Sequence, residues 1–544
     1  MQKLLKWLDE IAGTNQENRI VLWLERIAFI FLILMILSAP HSIAATQTAW
    51  LAGMFVWVIR MFISPRPRLV RTPFGIALWA FFGWSLITSL TSYAPDISIG
   101  RMRNVLLFLI FYFVINNLKN LRAVRFLVFA LIFSCMVNVV WTPIQRLVGR
   151  GVEIHGVAPE SPLAKALLWE GDTLLQANGK KIKIPEDLTA QIEQNEITKV
   201  KFYRPDFEFS VDVKRENLLN GANALEKLGI ASWKKSRNWR SAGFYGHYTT
   251  YAEVLQLIAS LVLGLFIALF STQRRKDPET GRHGDGERGF AVSLRSRVPV
   301  FIFALCLAAM SLALLLTVTR ASQLGFLVSA FTIVLVSGRR KLLLGLAAIV
   351  LPIALIGVFF LQQSRNVGFF DVKDDSTNYR LTMYQDGLRL WTESPRHLIL
   401  GVGMDSIKRY WQDWRLFDGG NLPMGHFHST PLQLLVEGGL PALMLWLWIL
   451  WIYAKTLMRF LKLRITNYEL RIIKNEEQSK IQRLKSKVEI GIILGSLGGL
   501  IGFFTGGLVH YNFGDAEVTM VFFMLMGLSV FLCRLESKAE SITN

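Results

Sequence analysis

Two histidines two residues apart, His426 and His428, stand in Pro423-Met-Gly-His-Phe-His-Ser-Thr-Pro431, just ahead of a strongly apolar run. An imidazole near its own pKa can take a proton from a weak nucleophile such as a hydroxyl. It can also bind a metal, or pack with its nitrogens satisfied by backbone. A two-residue spacing suits a strand or a loop and not one helix face. No third ligand accompanies the pair in sequence, so no metal is expected. His428 is the candidate general base, with His426 shaping the pocket, and a purely structural histidine stands as the alternative.

The cations extend this chemistry. Arg320 lies in Thr317-Val-Thr-Arg-Ala-Ser-Gln323, in a short turn between apolar runs with no acid nearby in sequence. An arginine at that depth calls for a partner. A distant carboxylate or snorkelling would supply one. An anionic ligand would too, and a guanidinium fork suits phosphate. Arg380 and Arg389 add charge. The stretch Lys234-Lys-Ser-Arg-Asn-Trp-Arg240 can meet anionic headgroups. A lipid-borne phosphate or diphosphate would satisfy all of them. His247 reads equally as an acceptor contact and as a structural cap.

These residues must be held by a membrane protein. The 544-residue chain is 52% hydrophobic, well above a soluble enzyme's needs. Runs of about 18 or more apolar residues read as spanning helices. About twelve occur, near 20–38, 46–63, 73–92, 103–117, 125–146, 250–270, 298–318, 322–337, 342–361, 431–454, 488–510 and 517–533. Asp9, Glu10 and Glu17 ahead of the first run argue against a removable signal. Cys135, Cys306 and Cys533 fall inside runs, which leaves no disulfide framework and no zinc spacing. The net charge of +20 needs no nucleic acid to explain it. With the N-terminus inside, every second loop is basic: Arg66–Arg71, Lys119–Arg125, Arg274–Arg297, Arg339–Lys341 and Lys455–Lys487. The last of these alternates Glu and Lys at helical spacing, as a solvated helical excursion would.

The topology divides the chain into N-terminal helices (1–147), a soluble insert (148–216), a linker (217–249), core helices (250–361), a large loop (362–430) and C-terminal helices with a basic loop (431–544). In the insert, Ser161-Pro162-x-Ala164, Gly171-Asp172 and Asn178-Gly179 resemble a PDZ domain of the bacterial protease-associated type. Lys199–Val213 reads as two alternating strands around a turn. The resemblance implies a small mixed α/β fold and a possible protein partner held by strand addition. Leu167 stands where that family has glycine, and its carboxylate-binding loop is not evident before Val152. A site-2-type intramembrane protease would combine such an insert with His-Glu-x-x-His, a motif this chain lacks.

In the large loop, Leu381, Tyr384, Leu388 and Trp391 recur at helical spacing, and Pro395 is expected to end that helix. Asp405–Phe417 reads as a second amphipathic helix, suited to lying along the bilayer surface. Gly401-Val-Gly403 makes a turn.

Outside the insert, the chain resembles the bacterial O-antigen ligase and polymerase superfamily, which includes protein O-oligosaccharyltransferases. His428-Ser429, nine residues, then Gly439 matches its His-(Asn/Ser/Gln)-x9-Gly signature. Ala442 takes a position usually Gly, Thr or Tyr. Thr319-Arg320-Ala321, Arg380-x-x-x-Tyr384 through Pro395, and Gly243-Phe-Tyr-Gly-His247 resemble further family segments. The resemblance implies a polytopic α-helical membrane protein of the GT-C type in a bacterial inner membrane, its active site facing the periplasm. It implies a metal-independent glycosyltransferase moving a glycan from undecaprenyl-diphosphate to lipid A–core. Polymerase and protein-transferase activity are the alternatives. No cofactor and no nucleic acid are implied. His428 would be the base, Arg320 and Arg380 would hold the diphosphate, and Arg389, His426, His247 and Arg240 would contact substrate. A transporter of a lipid-linked glycan is the rival class, but neither inverted repeats nor broken midplane helices stand out.

Overall fold

The computed structural model describes residues 2–204, 207–237, 239–270, 286–338, 375–422, 425–473 and 480–543. The chain forms two compact units. One comprises Met1–Met136, Thr249–Leu314 and Thr319–Asn544; the other comprises Val137–Tyr248 with Leu315–Val318.

The chain opens with α1 (Gln2–Ala12), α2 (Arg19–Ser38), α3 (Ile43–Phe62), α4 (Gly75–Leu90), α5 (Pro95–Asn117) and α6 (Leu121–Val148). Charged residues of α1 to α3 find partners near their ends. Arg26 grips Asp9 with two hydrogen bonds, and Glu25 accepts from both Arg60 and Lys119.

The second unit is built on an antiparallel sheet in the order β5-β4-β2-β1-β6, with β3 against β2. The strands are β1 (Arg150–Val157), β2 (Thr173–Ala177), β3 (Lys180–Lys181), β4 (Ile197–Arg204), β5 (Phe207–Lys214) and β6 (Ile230–Ser236). Helices α7 (Pro185–Gln194) and α8 (Ala224–Leu228), and a single helical turn at Pro162–Lys165, lie between them. Alternation drives Val152, Ile154, Val200 and Phe202 into a core shared with Leu163, Leu168, Leu174 and Ile192. The buried Asp172 carboxylate takes both branches of Arg204, whose guanidinium lies 4.0 Å over the Trp169 ring. The expected strand pair near 199–213 is present as β4 and β5, in register from Ile197↔Lys214 to Arg204↔Phe207. The 217–249 segment is more than a linker. It contributes β6, which pairs along β1 from Arg150↔Ser236 to Val157↔Ile230.

The chain then continues through α9 (Tyr248–Phe270), α10 (Gly286–Leu316), α11 (Arg320–Val336), α12 (Asp375–Thr392), α13 (Pro395–Ile399), α14 (Thr430–Ile473), α15 (Lys480–Val509) and α16 (Ala516–Thr543). Glycines at Gly491, Gly495, Gly498, Gly502 and Gly506 line α15. A Cβ on Gly495 would stand 2.5 Å from the Leu261 Cα of α9, and one on Gly325 of α11 would stand 2.7 Å from the Gly502 carbonyl. Without solvent to drive association, such small-residue seams let membrane helices meet backbone to backbone. Ser329 donates to Ser260 across the same seam at 2.7 Å.

Eight helices among the described residues are long and apolar enough to cross a membrane, against the twelve expected. The span expected at 342–361 lies outside the described residues. Helices α4 and α11 form where expected but are short. Helix α3 has the length but is diluted by Thr46, Gln47, Thr48 and Arg60. The span expected at 103–117 starts earlier, at Pro95, which opens α5 at its first turn.

The large loop departs from its expected form. Helix α12 forms, but Leu381 and Leu388 are half exposed. The inward face is Met383, Gly387 and Leu390, because Gly387 lets Leu432 of α14 approach the backbone. Pro395 starts α13 rather than ending α12. Asp405–Phe417 is not one helix. A single turn at Ile407–Tyr410 is followed by left-handed backbone at Arg415, Phe417 and Asp418. The reason is packing. Ile407, Leu416 and Phe417 turn inward onto Phe427, Val402 and Val436, and Asp386 accepts the Phe417 N–H at 2.8 Å. These aromatics build a core and do not lie as an amphipathic helix along a surface.

Candidate active site

The site sits where α14 begins. Ser429 caps that helix, its carbonyl accepting the Gln433 N–H at 2.9 Å. Gln433 reaches back with its side chain to the Phe427 N–H at 2.8 Å, and Phe427 is fully buried. That anchor pins the residue between the two histidines and sends both imidazoles to one region. The His428 backbone has φ +49°, a left-handed conformation that a non-glycine residue holds only when its surroundings impose it. The His428 N–H donates to His426 Nδ1 at 3.3 Å, and the two rings meet edge to face at 4.3 Å.

A third imidazole joins them. His510 follows the last residue of α15, and its ring centre is 5.8 Å from His428 and 6.3 Å from His426. Tyr511 lies 6.0 Å from His426. Thr430 fixes this turn to the start of α14, donating to the His510 carbonyl and to Asn512. Behind His510 is Glu253 of α9, only 4% exposed, with its Oε1 2.7 Å from His510 Nδ1. The ring N–H is poorly aligned with that oxygen, so the contact is one of charge more than of a directed hydrogen bond. Burial disfavours the charged imidazole, but Glu253, aided by Asp515, outweighs it and holds the His510 pKa above the usual histidine value; Arg380 opposes them. Burial, then Glu437 and Asp405, push the Tyr511 hydroxyl well above its ordinary range.

The expected cations divide. Arg380 acts electrostatically on both His510 and Tyr384, and Tyr384 donates to the Leu508 carbonyl at 2.9 Å. Helix α12 thus brings Arg380 near His510. Arg320 is the first residue of α11, and the next carbonyl, of Ala321, lies 3.9 Å from a Cβ built on Gly506. It therefore enters at the same end of α15 that presents His510. Arg389 pairs with Asp386 at 3.1 Å and donates to the Trp414 and Arg415 carbonyls, which ties α12 to the following turns. Arg240 and His247 belong to the second unit. There Arg240 lies 4.7 Å over the Tyr248 ring, on which His247 stacks at 4.5 Å.

The floor of the site is a broken helix. At Gly439 φ is +70° and ψ −178°, and Pro441 follows inside the same helix. Proline cannot donate to the carbonyl four residues back, and the bend frees further carbonyls. Each finds a new donor. Val402 N–H reaches Val436 O, Gly403 N–H reaches Glu437 O, both at 2.9 Å, and Trp84 Nε1 reaches Gly438 O at 2.8 Å. The Glu437 carboxylate accepts the Asp405 N–H at 2.7 Å. Asp405 in turn pairs with Arg101 and Lys408. Non-helical backbone at membrane depth is tolerated only with such complete satisfaction.

Sequence reasoning missed His510, Glu253 and Tyr511. A signal existed, since Glu253 is an ionisable residue near the start of an apolar run, and such a residue is a functional candidate by default.

Comparison with known proteins adds an independent line. The family described as O-antigen ligase matches residues 305–447. That region takes in Arg320, Arg380, Arg389, His426, His428 and Gly439, and leaves out Glu253 and His510. A 43-residue stretch is 49% identical to the magnetosome formation protease MamE of Paramagnetospirillum magneticum; it covers 8% of this chain and 6% of that protein. The O-antigen ligase match supports glycan ligation or polymerisation in general. The eight helices long and apolar enough to cross a membrane, together with the family match over residues 305–447, support a polytopic membrane protein whose 305–447 region is similar to the O-antigen ligase family.

Proposed function

We propose that the protein transfers a glycan from undecaprenyl-diphosphate to an acceptor hydroxyl at the periplasmic face, and that the acceptor is lipid A–core. The observation that carries this reading is the gathering of His428, His426, His510 and Arg380 at one end of the helices in an O-antigen-ligase-type region. The alternation of basic loops supports the orientation, because that end lies opposite the loops at Arg66–Arg71, Lys119–Arg125, Arg339–Lys341 and Lys455–Lys487.

His428 takes the acceptor proton as the hydroxyl oxygen attacks the anomeric carbon. The carbon–oxygen bond to the diphosphate breaks, and the diphosphate leaves with the bonding electrons. Attack opposite the leaving group inverts the sugar carbon. Arg320 and Arg380 meet the charge that grows on the departing phosphates. Arginine suits this work because its fork matches phosphate oxygens and stays charged. The gene-deletion experiment separates the activities. Loss of the long lipopolysaccharide ladder, with polymer still on its lipid carrier, is the expected result. Core bearing a single repeat unit would mean polymerase instead. An unchanged ladder would remove both.

The insert is read as PDZ-like, recruiting a protein partner by strand addition. Its sheet ends on β6, whose edge away from β1 carries no strand among the described residues. A chain can add there through main-chain hydrogen bonds. Deleting 150–236 is expected to leave glycan transfer standing while the partners recovered by crosslinking change. Unchanged partners would refute the recruiting role.

A further inference from the structure

Glu253 and His510 come from α9 and from the end of α15, outside the region that matches the O-antigen ligase family. They nonetheless meet each other, and the His510 ring lies beside that of His428. Three observations bear on what they do. Glu253 is a carboxylate 4% exposed near the start of a spanning helix, a costly placement unless a cation stands beside it. The nitrogen beside it, His510 Nδ1, is 2.7 Å away. The His510 ring is 5.8 Å from that of His428, too far for a direct hydrogen bond and close enough for strong charge repulsion if both were protonated.

We propose that Glu253 and His510 form a positioning pair that keeps a proton on His510 and thereby keeps His428 neutral and ready to accept one. The inference rests on the reading of His428 as the general base. Two imidazoles this close, both only partly exposed, resist carrying two charges. Glu253 decides which one is charged. Asp515, which accepts a hydrogen bond from Thr250 of α9, reinforces Glu253. Arg380 on α12 opposes protonation, as His428 and His426 would if charged, and the buried Tyr511 hydroxyl stays neutral. Of these groups only Glu253 is in contact with His510 Nδ1. The pair does not receive the acceptor proton; that proton goes to His428, and His510 keeps its own.

The test is a titration of the full chain in nanodiscs with its eight histidines isotopically labelled at the ring carbon and assigned by single substitutions. His510 is expected to stay protonated through the range in which His428 titrates. In Glu253→Gln the largest charge favouring the protonated ring is gone, and burial and Arg380 outweigh the remaining Asp515, so the His510 midpoint should fall by about one pH unit or more while that of His428 rises. His510→Gln, which keeps much of the bulk and cannot charge, should raise the His428 midpoint in the same way and serves if Glu253→Gln does not fold. A His428 midpoint unmoved by His510→Gln overturns the proposal. An activity arm keeps the two readings apart. If His428→Ala retains full glycan transfer, the general-base reading fails. If His428→Ala is inactive and the midpoints do not move, only the positioning pair fails.

Discussion

Replacing His428 with alanine is expected to lower glycan transfer by about 10²–10⁴-fold, the range that a positioned general base contributes. This corresponds to roughly 3–5 kcal/mol of barrier. The folded protein should be retained, for three reasons. His428 lies in a loop, and the helix after it is capped by Ser429 and pinned by Thr430 and Gln433, none of which needs the imidazole. The left-handed backbone at His428 is one that neither histidine nor alanine holds freely, so the exchange adds only a small cost there. The partner of the His428 N–H is His426 Nδ1, which the substitution leaves in place. The measurement is complementation of the deletion strain read on a lipopolysaccharide gel, with the membrane level of the variant checked in parallel. A full ladder from His428→Ala would make the histidine structural and would favour transport, which needs no base. Normal levels with no ladder would place the loss at the chemical step.

What could be read from the sequence follows from how local each feature is. Spanning helices announce themselves by composition, and α2, α6, α9 and α16 lie close to where apolar runs put them. The two histidines were legible because their spacing ruled out a helix face, and a loop indeed holds them. The large loop was misread because its aromatics have two possible homes. Helical spacing alone cannot say whether Trp411, Trp414 and Phe417 face lipid or each other. Asp386 and the left-handed turns at Arg415, Phe417 and Asp418 decide it, and they are tertiary facts. His510 was invisible for a related reason. It is separated from His428 by two helices, and only the meeting of α9, α14 and α15 makes it a neighbour. Likewise β6 could not be told from linker, because its partner β1 lies about 80 residues earlier and no local pattern encodes long-range pairing.

The second large effect is expected at Gly439, and it is of the opposite kind. Gly439→Ala should reduce the amount and thermal stability of the folded protein before chemistry is reached. The backbone there, at φ +70° and ψ −178°, is a conformation that L side chains avoid, at a cost of about 1–3 kcal/mol. The added Cβ would also stand 2.0 Å from the Ile399 carbonyl oxygen and 2.4 Å from its carbon. Backbone on that side cannot yield cheaply. Ile399 ends α13, and the following Gly401 lies so close to Glu437 that its own Cβ would be 2.5 Å from the Glu437 carbonyl carbon. Relief therefore requires separating the 398–403 turn from the bend of α14. Separation in turn strips Val436 and Glu437 of the Val402 and Gly403 donors that satisfy them at membrane depth. Strain and lost backbone bonds together exceed about 4 kcal/mol, the range of exceptional single substitutions. The measurement is thermal unfolding of detergent-solubilised protein, wild type beside Gly439→Ala and His428→Ala. The expected order is a large drop for Gly439→Ala and little change for His428→Ala. If Gly439→Ala melts with wild type but transfers no glycan, the bend is tuned for chemistry and not for holding the fold. The nine-residue interval between Ser429 and Gly439 has a physical basis in this geometry. About two and a half helical turns carry the chain from the start of α14 to the break, and the break gives the 398–403 turn the room to close beneath it.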